Sequence, residues 1–319
     1  MNLSIVISLY NEAPSLKELL GEIRSVAHTM GIEYEIILVD DGSTDGSWDI
    51  IEREAASDNH ITAICFRRNY GKSAALYCGF AKAEGDVVIT MDADLQDNPE
   101  EIPDMYDMIT KEGYDLVSGW KKKRYDNPFT KNIPSHIYNA TARFVTGVKL
   151  HDMNCGLKAY KKDVVKNIEV YGEMHRYIPY LAKEAGFTKI AEKVVKHRKR
   201  KFGKSKFGIS RFINGYLDLL SLWFLEKFGK KPMHFFGFIG SMTFLAGFAI
   251  AIILIVQKLY RQTHFLKFRA VTDQPLFYIA LCCLIIGTML FLTGFISELV
   301  SRNSSERNRY NIKKTIGKS

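Results

Sequence analysis

The chain has 319 residues, 47% of them hydrophobic and 25% charged, which is ordinary for a globular protein of one large or two smaller domains. The net charge of +9 is concentrated in a few basic runs. Five cysteines without Cys-x-x-Cys spacing, two of them adjacent, exclude a disulfide framework and indicate reduced thiols.

Strands and helices alternate through the first third of the chain. Apolar runs predict strands at 3–9, 35–39, 61–66 and 86–91, and helical periodicity predicts helices at 16–30, 48–56 and 73–83. No basic leader precedes the first run, so we expect a first strand there and no signal peptide. The alternation implies a mostly parallel sheet with right-handed crossovers.

A polar cluster follows each of these strands. Tyr10, Asp41 and Asn69 follow the first three, and the turn Asp92-Ala93-Asp94-Leu95-Gln96 follows the fourth. Parallel strands end at one edge, where open α/β sheets bind their ligands, so these clusters should converge. Alternate carboxylates on a tight turn suit Mg²⁺ or Mn²⁺ shared with a substrate's phosphates. For an isolated Asp-x-Asp, a solvated acidic turn is the competing interpretation.

The middle of the chain continues the pattern. We predict a strand at 115–119, a helix at 132–145, a loop leading into a strand at 151–160, a helix at 177–185 and a last strand at 190–195. The basic runs at 121–124 and 196–201 attract phosphates of nucleic acid, lipid head groups or nucleotides. The aromatic segment 209–228 fits a helix in the membrane interface and a helix packed on the soluble core equally well.

Two long uncharged runs follow, at 233–256 and 275–296. At about 1.5 Å per residue, roughly 24 helical residues span about 36 Å, which exceeds a bilayer core of about 30 Å. We therefore predict two transmembrane helices. Two spans place both termini on one side, and the flanking Lys and Arg residues favour the cytoplasm, although the connecting loop is basic too.

Three motifs, each after a predicted strand, resemble those of family 2 glycosyltransferases with the GT-A fold. They are ISLYNE at 7–12, VDDGSTD at 39–45 and MDADLQ at 91–96. A closer resemblance, to the polyprenyl-phosphate glycosyltransferases of the dolichyl-phosphate mannose synthase and bactoprenol glucosyltransferase type, rests on RNYGK at 68–72, the segments 152–160 and 197–207, and the two apolar runs. The resemblance implies an α/β, Rossmann-like domain with a mostly parallel sheet, followed by interface helices and two transmembrane helices.

The resemblance also implies how the chain is organised and what it does. We expect a cytoplasmic catalytic domain at 1–208, an amphipathic juxtamembrane region at 209–231, a two-helix membrane region at 232–297 and a basic cytoplasmic tail at 298–319, all at the inner membrane. The expected reaction is inverting transfer of a single sugar from a nucleotide-sugar to undecaprenyl phosphate, giving a lipid-linked sugar for the cell envelope. UDP-glucose is the favoured donor, and GDP-mannose is left open.

By the same resemblance, a Mg²⁺ or Mn²⁺ ion would neutralise the departing diphosphate as a Lewis acid. Its expected ligands lie in the acidic turn: Asp92, Asp94 and Gln96. The residues expected to contact the donor come from the loops after the strands: Ser8, Tyr10, Glu12, Asp41, Lys72, Asp92 and Lys121. The residues expected to contact the acceptor and the phosphates are mostly basic: Lys131, His175, Arg176, Arg200, Ser205 and Lys206.

Four residues are expected to serve catalysis: Asp152, Asp94, Arg200 and Lys158. A polyprenyl phosphate is already an anion, so catalysis should consist mainly of positioning and charge neutralisation. Asp152 is then either a base or an orienting residue. The sequence departs from the family pattern at Lys121 and Lys131, where relatives carry Arg, and in the 152–158 segment, which lacks the usual Phe-Arg pair.

Three other functions are weaker alternatives. A processive polysaccharide synthase would carry a Gln-x-x-Arg-Trp segment, which this sequence lacks. A non-catalytic membrane protein that binds nucleotides or anionic lipid is disfavoured by the intact Asp41, Asp92 and Asp94. Nucleic-acid binding is disfavoured because the basic runs lack interleaved aromatic residues. The lipid bilayer is the expected partner, and oligomerisation through the membrane helices is left open.

Overall fold

The computed structural model describes residues 1–122, 141–143, 145–202, 231–266 and 269–303, with a few residues between 217 and 229. The chain divides into two compact units, Met1–Leu219 and Leu220–Ser319, which we describe separately. Most of the predicted helix at 132–145 and of the juxtamembrane segment 209–228 lies outside the described residues, as do Lys131, Ser205 and Lys206.

The first unit contains a sheet whose described strands confirm all seven predicted ones. They are β1 (Leu3–Leu9), β2 (Tyr34–Asp40), β3 (Ile61–Cys65), β4 (Val87–Asp92), β5 (Leu116–Trp120), β6 (Lys158–Lys161) and β7 (Ile190–Val194). Their order is β3-β2-β1-β4-β6-β5-β7. Strand β6 runs antiparallel to both neighbours, and all the other pairs are parallel. The sheet is therefore mostly parallel, as predicted.

Helices connect these strands. Those described over their full length in this unit are α1 (Ala13–Met30), α2 (Ser47–Ser57), α3 (Lys72–Lys82), α4 (Ile102–Thr110), α5 (Lys162–Asn167) and α6 (Ile178–Glu184). Residues 141–143 and 145–146 are also helical. Short 3₁₀ turns at Pro99–Glu101 and Met174–Arg176 precede α4 and α6. The predicted helix at 177–185 is thus confirmed with slightly shorter bounds, whereas α5 was not predicted.

The core explains why β1 is apolar on both faces. Leu3, Ile5 and Ile7 belong to a buried cluster that includes the inward side of α1. On the opposite face, a Cβ atom added to Gly79 of α3 would overlap the Val6 side chain. A strand covered by helices on both sides needs a continuous apolar run, which is the pattern seen at 3–9.

The strand register brings the polar loops to one edge. Ser8 on β1 lies beside Val39 on β2 and beside Asp92 on β4. Strands β1 to β4 therefore end at the same level, and their carboxyl-terminal loops share one edge of the sheet, as the sequence predicts.

The second unit contains two long helices, α7 (Pro232–Thr263) and α8 (Pro275–Asn303). Both are long and apolar enough to cross a membrane. The most apolar 18-residue stretch of each helix has a mean hydropathy of 2.5, and only 17% of its residues are buried. They meet closely through glycines: a Cβ atom on Gly240 would lie 2.8 Å from the carbonyl oxygen of Gly287, and one on Gly247 would lie 2.8 Å from that of Ala280. Small residues at such contacts let helix backbones approach.

Candidate active site

The loop after β1 is joined to the loop after β2 by reciprocal hydrogen bonds. The backbone N–H of Asn11 donates to Oγ of Ser43 at 2.8 Å, and the N–H of Thr44 donates to Oδ1 of Asn11 at 2.7 Å. The N–H of Glu12 donates to Oγ of Ser47 at 3.1 Å. Asn11 has a positive φ of 56°, a conformation that Asn tolerates better than most residues. This network fixes the loop that carries Tyr10 and Glu12.

Asp41 supports the loop that leads into α3. Its Oδ1 accepts the backbone N–H of Tyr70 at 2.7 Å, and its Oδ2 accepts that of Gly71 at 2.9 Å. Burial raises the pKa of Asp41, and this effect outweighs the two hydrogen bonds, which lower the pKa. Gly42 follows with a φ of +72°, and a Cβ atom there would lie 2.6 Å from the carbonyl carbon of Arg68. The carboxylate predicted to meet the donor thus also holds the backbone just before Lys72.

Asp92 ends β4 and forms an ion pair with Lys72 at the start of α3. Removal from water would raise the pKa of Asp92, but Lys72 and Lys121 outweigh this effect and hold the pKa well below its ordinary value. A Cβ atom on Gly156 would lie 2.7 Å from Cγ of Asp92, so the segment before β6 closely approaches this carboxylate. Asp92 therefore stays ionised beside two ammonium groups.

Asp94 is 9% exposed and forms an ion pair with Arg200, with 2.5 Å between Oδ2 and Nη2. Its Oδ1 accepts the backbone N–H of Gln96 at 3.1 Å. Burial raises the pKa of Asp94, and Asp92 and Asp97 raise it further, against the effect of Arg200. Leu95, between these residues, has a φ of +61°, which marks a strained turn.

Asp97 lies at the acidic turn but was not among the site residues predicted from the sequence. Its side chain is fully buried, and its Oδ1 lies 2.8 Å from Nζ of Lys121. Its Oδ2 accepts the backbone N–H of Asp92 at 3.3 Å. Burial alone would lower the pKa of Lys121, but Asp97 and its neighbours raise it above the ordinary value. The signal in the sequence was a third acid three residues after Asp94.

Asp92, Asp94 and Asp97 bring three carboxylates to one short segment, which is the ligand chemistry that a hard divalent cation prefers. The raised pKa of Asp94 reflects burial and the negative charge of Asp92 and Asp97, which a bound cation would relieve. Carboxylate oxygens are the ligands that Mg²⁺ and Mn²⁺ prefer. Within the described ranges, no group of three His, Cys, Asp or Glu side chains is arranged around a common point as a metal site. Lys72 and Arg200 stand at the carboxylates as their cationic partners.

The segment 196–201 after β7, which we call the strap, runs across this acidic turn. Arg198 pairs with Glu22 at 2.7 Å, and its Nη2 donates to Oδ1 of Asn98 at 2.6 Å. Its backbone N–H donates to the carbonyl of Gln96 at 3.0 Å. His197 forms a backbone bridge with Asp97. The strap is therefore attached by its backbone and by its side chains.

Basic side chains of the strap are paired with acids. The run 196–201 was predicted to attract phosphates, with Arg200 among the residues expected to contact the acceptor. In the structure Arg200 pairs with Asp94 and lies 3.4 Å from Oε1 of Glu12, and Lys201 pairs with Glu18. These cations, with Arg198, are directed at acids of the first unit, so their charge is largely compensated there.

Two of the predicted catalytic residues lie inside the protein. Asp152 is 1% exposed, and its Oδ1 accepts the backbone N–H of Asn154 at 3.2 Å. Lys158 is 3% exposed and donates to the carbonyl of Cys155. Burial lowers the pKa of Lys158, and Lys72 lowers it further. Lys158 is thus an internal cation whose charge interacts with those of Asp92 and Asp152.

His175 and Arg176 are brought to the start of α3. The backbone N–H of His175 donates to Oγ of Ser73 at 3.1 Å, and its Nδ1 lies 3.1 Å from the same oxygen. Arg176 is 8% exposed and pairs with Glu173 at 3.2 Å. His175 thus stands beside the helix turn that carries Lys72, whereas the guanidinium of Arg176 is mostly enclosed.

Comparison with known proteins gives a consistent result. Residues 4–169 match the sequence model of glycosyl transferase family 2. The dodecaprenyl-phosphate galacturonate synthase of Rhizobium johnstonii is 34% identical, over 95% of this chain and 88% of that protein. The undecaprenyl-phosphate 4-deoxy-4-formamido-L-arabinose transferase of Proteus mirabilis is 36% identical, over 98% of this chain and 94% of that protein.

Solved structures share the fold. Glucosyl-3-phosphoglycerate synthase from Mycobacterium tuberculosis, crystallised with Mn²⁺, uridine diphosphate and glucosyl-3-phosphoglycerate, aligns with a TM-score of 0.53 at 18% identity, over 72% of this chain and 80% of that one. Mannosyl-3-phosphoglycerate synthase from Rubrobacter xylanophilus aligns with a TM-score of 0.57 at 14% identity, over 71% and 75%. At such low identity the likeness establishes the GT-A fold alone.

Proposed function

This chain belongs to glycosyl transferase family 2, and from that premise we propose that it transfers one sugar, with inversion, from a nucleotide-sugar to a polyprenyl phosphate. The proposal for the acceptor is supported by relatives that match almost the whole chain and are named for dodecaprenyl and undecaprenyl phosphate. The observation that carries the donor site is the set of three carboxylates, Asp92, Asp94 and Asp97, each paired with a basic side chain from a distant segment.

We assign the donor to this edge of the sheet. A Mg²⁺ or Mn²⁺ ion held by Asp92 and Asp94, with Gln96 beside them, would supply charge neutralisation for the diphosphate. Lys72, Lys121 and Arg200 hold their cationic groups at these carboxylates. In this proposal they contact the donor phosphate oxygens when the donor binds. Ser8, Tyr10, Glu12 and Asp41 would shape the nucleoside end.

Asp152 has the role of an orienting residue in this proposal. The acceptor phosphate is already an anion near neutral pH, so its oxygen attacks the anomeric carbon without losing a proton to a base. What the enzyme must supply is alignment and compensation of charge. Lys131, His175, Arg176, Ser205 and Lys206 are the proposed acceptor-side residues, of which His175 lies beside Lys72 through Ser73.

The second unit would present the acceptor. Helices α7 and α8 have the length and hydropathy of membrane spans. We propose that they anchor the chain in the inner membrane with the catalytic unit and both termini in the cytoplasm, within the domain bounds expected from the sequence. A long isoprenoid keeps its phosphate at the membrane surface, where a tethered enzyme meets it.

The donor sugar is best identified by a panel. UDP-glucose is the donor favoured by the sequence, but the two relatives named above carry galacturonate and 4-deoxy-4-formamido-L-arabinose in their names. The panel therefore contains UDP-glucose, UDP-glucuronate, UDP-galacturonate, UDP-4-deoxy-4-formamido-L-arabinose and GDP-mannose.

The test uses membranes containing the full chain, radiolabelled donors, undecaprenyl phosphate and Mg²⁺ or Mn²⁺. We expect one donor to give an organic-soluble product carrying a single sugar, and Asp94→Asn to lower the rate by about 100-fold or more. Arg53→Ala is a matched surface control with no expected effect on rate. Absence of lipid-linked product with every donor, a polymeric product, or an unchanged rate in Asp94→Asn would refute the proposal.

A further inference from the structure

Glu192 on β7 holds a segment of backbone that contains Asp152. Its Oε1 accepts the backbone N–H of His151 at 2.8 Å and the backbone N–H of Asp152 at 3.0 Å. Its Oε2 lies 2.7 Å from Nδ1 of the His151 ring. The Glu192 side chain is only 12% exposed. One carboxylate thus engages two consecutive N–H groups and a ring nitrogen.

The same segment is attached to β5 as well. Ser118 on β5 lies opposite Glu192 in the parallel register, and its Oγ is 3.5 Å from the carbonyl oxygen of Asp152. The ring of His151 stacks on Trp120, the last residue of β5, with 4.1 Å between the ring centroids and 12° between the planes. The next residue, Lys121, pairs with Asp97, which directly follows the acidic turn. The segment 151–154 therefore connects two strands with the donor side of the site.

The direction of the Asp152 carboxylate depends on this backbone. Asp152 is 1% exposed, and its Oδ1 closes a turn with the N–H of Asn154. A buried side chain on a short turn points where the turn directs it. The turn is oriented at its start by the hydrogen bonds that the backbone N–H groups of His151 and Asp152 donate to the Glu192 side chain.

We propose that Glu192 is a positioning residue for the transfer reaction: by binding the N–H groups of His151 and Asp152, it aims Asp152 at the reacting phosphate and sugar. This inference rests on the proposed function, in which Asp152 orients the acceptor. Glu192 itself touches no reactant, and acts only through the backbone it holds.

The first test compares Glu192→Ala and Glu192→Gln in the transfer assay. Gln keeps a carbonyl oxygen that accepts both N–H groups, so we expect it to retain activity within about threefold, whereas Ala should lose about 10- to 100-fold in kcat with little change in the donor KM. Should Glu192→Ala fail to fold, Glu192→Asp replaces it: its carboxylate falls short of the two N–H groups and is expected to lose kcat in the same range. Asp104→Ala is the matched control. The Asp104 side chain on α4 is 72% exposed and pairs with Lys193, which follows Glu192 on β7.

A double-mutant cycle separates positioning from general damage. If Glu192 acts through Asp152, adding Glu192→Ala to Asp152→Asn should lower kcat by less than about twofold, because the group being aimed is already altered. Three results would overturn the inference. They are a kcat of the double variant reduced by the product of the two single effects, an equal loss of kcat in Glu192→Gln and Glu192→Ala, and an effect of Glu192→Ala on the donor KM alone.

Amide hydrogen exchange of the full chain in detergent gives a readout independent of activity. The N–H groups of His151 and Asp152 should exchange slowly in the wild type and at least about tenfold faster in Glu192→Ala. If the wild type transfers no sugar, the proposed function is refuted. The exchange rates then still test whether Glu192 binds the N–H groups of His151 and Asp152. An active wild type with unchanged exchange and unchanged kcat in Glu192→Ala refutes the positioning role alone.

Discussion

At the ends of β1 and β4, carboxylates are paired with basic side chains from distant segments, whereas at residues 151–154 a carboxylate holds backbone N–H groups. The first arrangement contains Asp92, Asp94 and Asp97, whose partners are the side-chain cations of Lys72, Arg200 and Lys121. The second is centred on Glu192, whose partners are part of the main chain. We propose a division of roles from this difference: the first region binds a charged ligand in place of its ion pairs, and the second keeps its geometry.

The largest effect should come from removing an exchangeable cation. Arg200→Ala is expected to lower kcat/KM by about 100-fold, because a preorganised positive group at a developing phosphate charge contributes on this scale. Arg198→Ala is the matched control: it lies in the same strap, but its partners are Glu22 and Asn98, so we expect a loss of only about two- to fivefold. Equal losses in the two variants would mean that the strap acts as a unit and Arg200 has no separate role.

A smaller effect is expected from crowding the donor side. Gly156→Ala places a Cβ atom 2.7 Å from Cγ of Asp92, so the carboxylate or the segment before β6 must move. We expect about 10- to 100-fold lower kcat/KM and a loss of about 1–3 kcal/mol in the free energy of unfolding. Gly21→Ala is the control, since nothing lies within 4 Å of its Cβ position in α1. Full activity in Gly156→Ala would show that the position of Asp92 tolerates displacement.

The smallest effect concerns stability and pH. Because Lys72 and Lys121 hold the pKa of Asp92 below its ordinary value, the ionised carboxylate contributes stability that is present above the unfolded pKa of about 4 and lost as the pH falls toward the folded pKa. Lys72→Met should therefore lower Tm near pH 7, and its difference from the wild type should shrink below about pH 4. Lys82→Met, exposed at the other end of α3, is the control. A Tm difference that stays constant from neutral to acidic pH would contradict this assignment.

The parallel half of the sheet was predictable because its information is local. Continuous apolar runs identified β1 to β4, and turn-forming residues marked the loops at their ends. The parallel arrangement then required Tyr10, Asp41 and Asp92 to meet at one edge, without any knowledge of side-chain contacts.

The pairing of side chains was not predictable in the same way. Arg200 and Asp94 are 106 residues apart, and the hydrogen bonds of Glu192 join residues separated by 40 and 41. The ion pairs of the basic run at 196–201 could not be predicted because its acidic partners are scattered through α1 and the acidic turn. Strand β6 inserts antiparallel between β4 and β5, which places Lys158 beside Thr90 and Ser118 inside the protein. No local pattern indicated that reversal.

Transfer to a polyprenyl phosphate is tested most directly by the product that the purified full chain forms from its best donor and either a phosphorylated or an unphosphorylated polyprenol. We expect a single-sugar lipid phosphate, identified by mass spectrometry, with undecaprenyl phosphate and no product with undecaprenol. Equal product formation from undecaprenyl phosphate and undecaprenol, addition of several sugars to one lipid, or release of free sugar without any lipid product would contradict the proposed function.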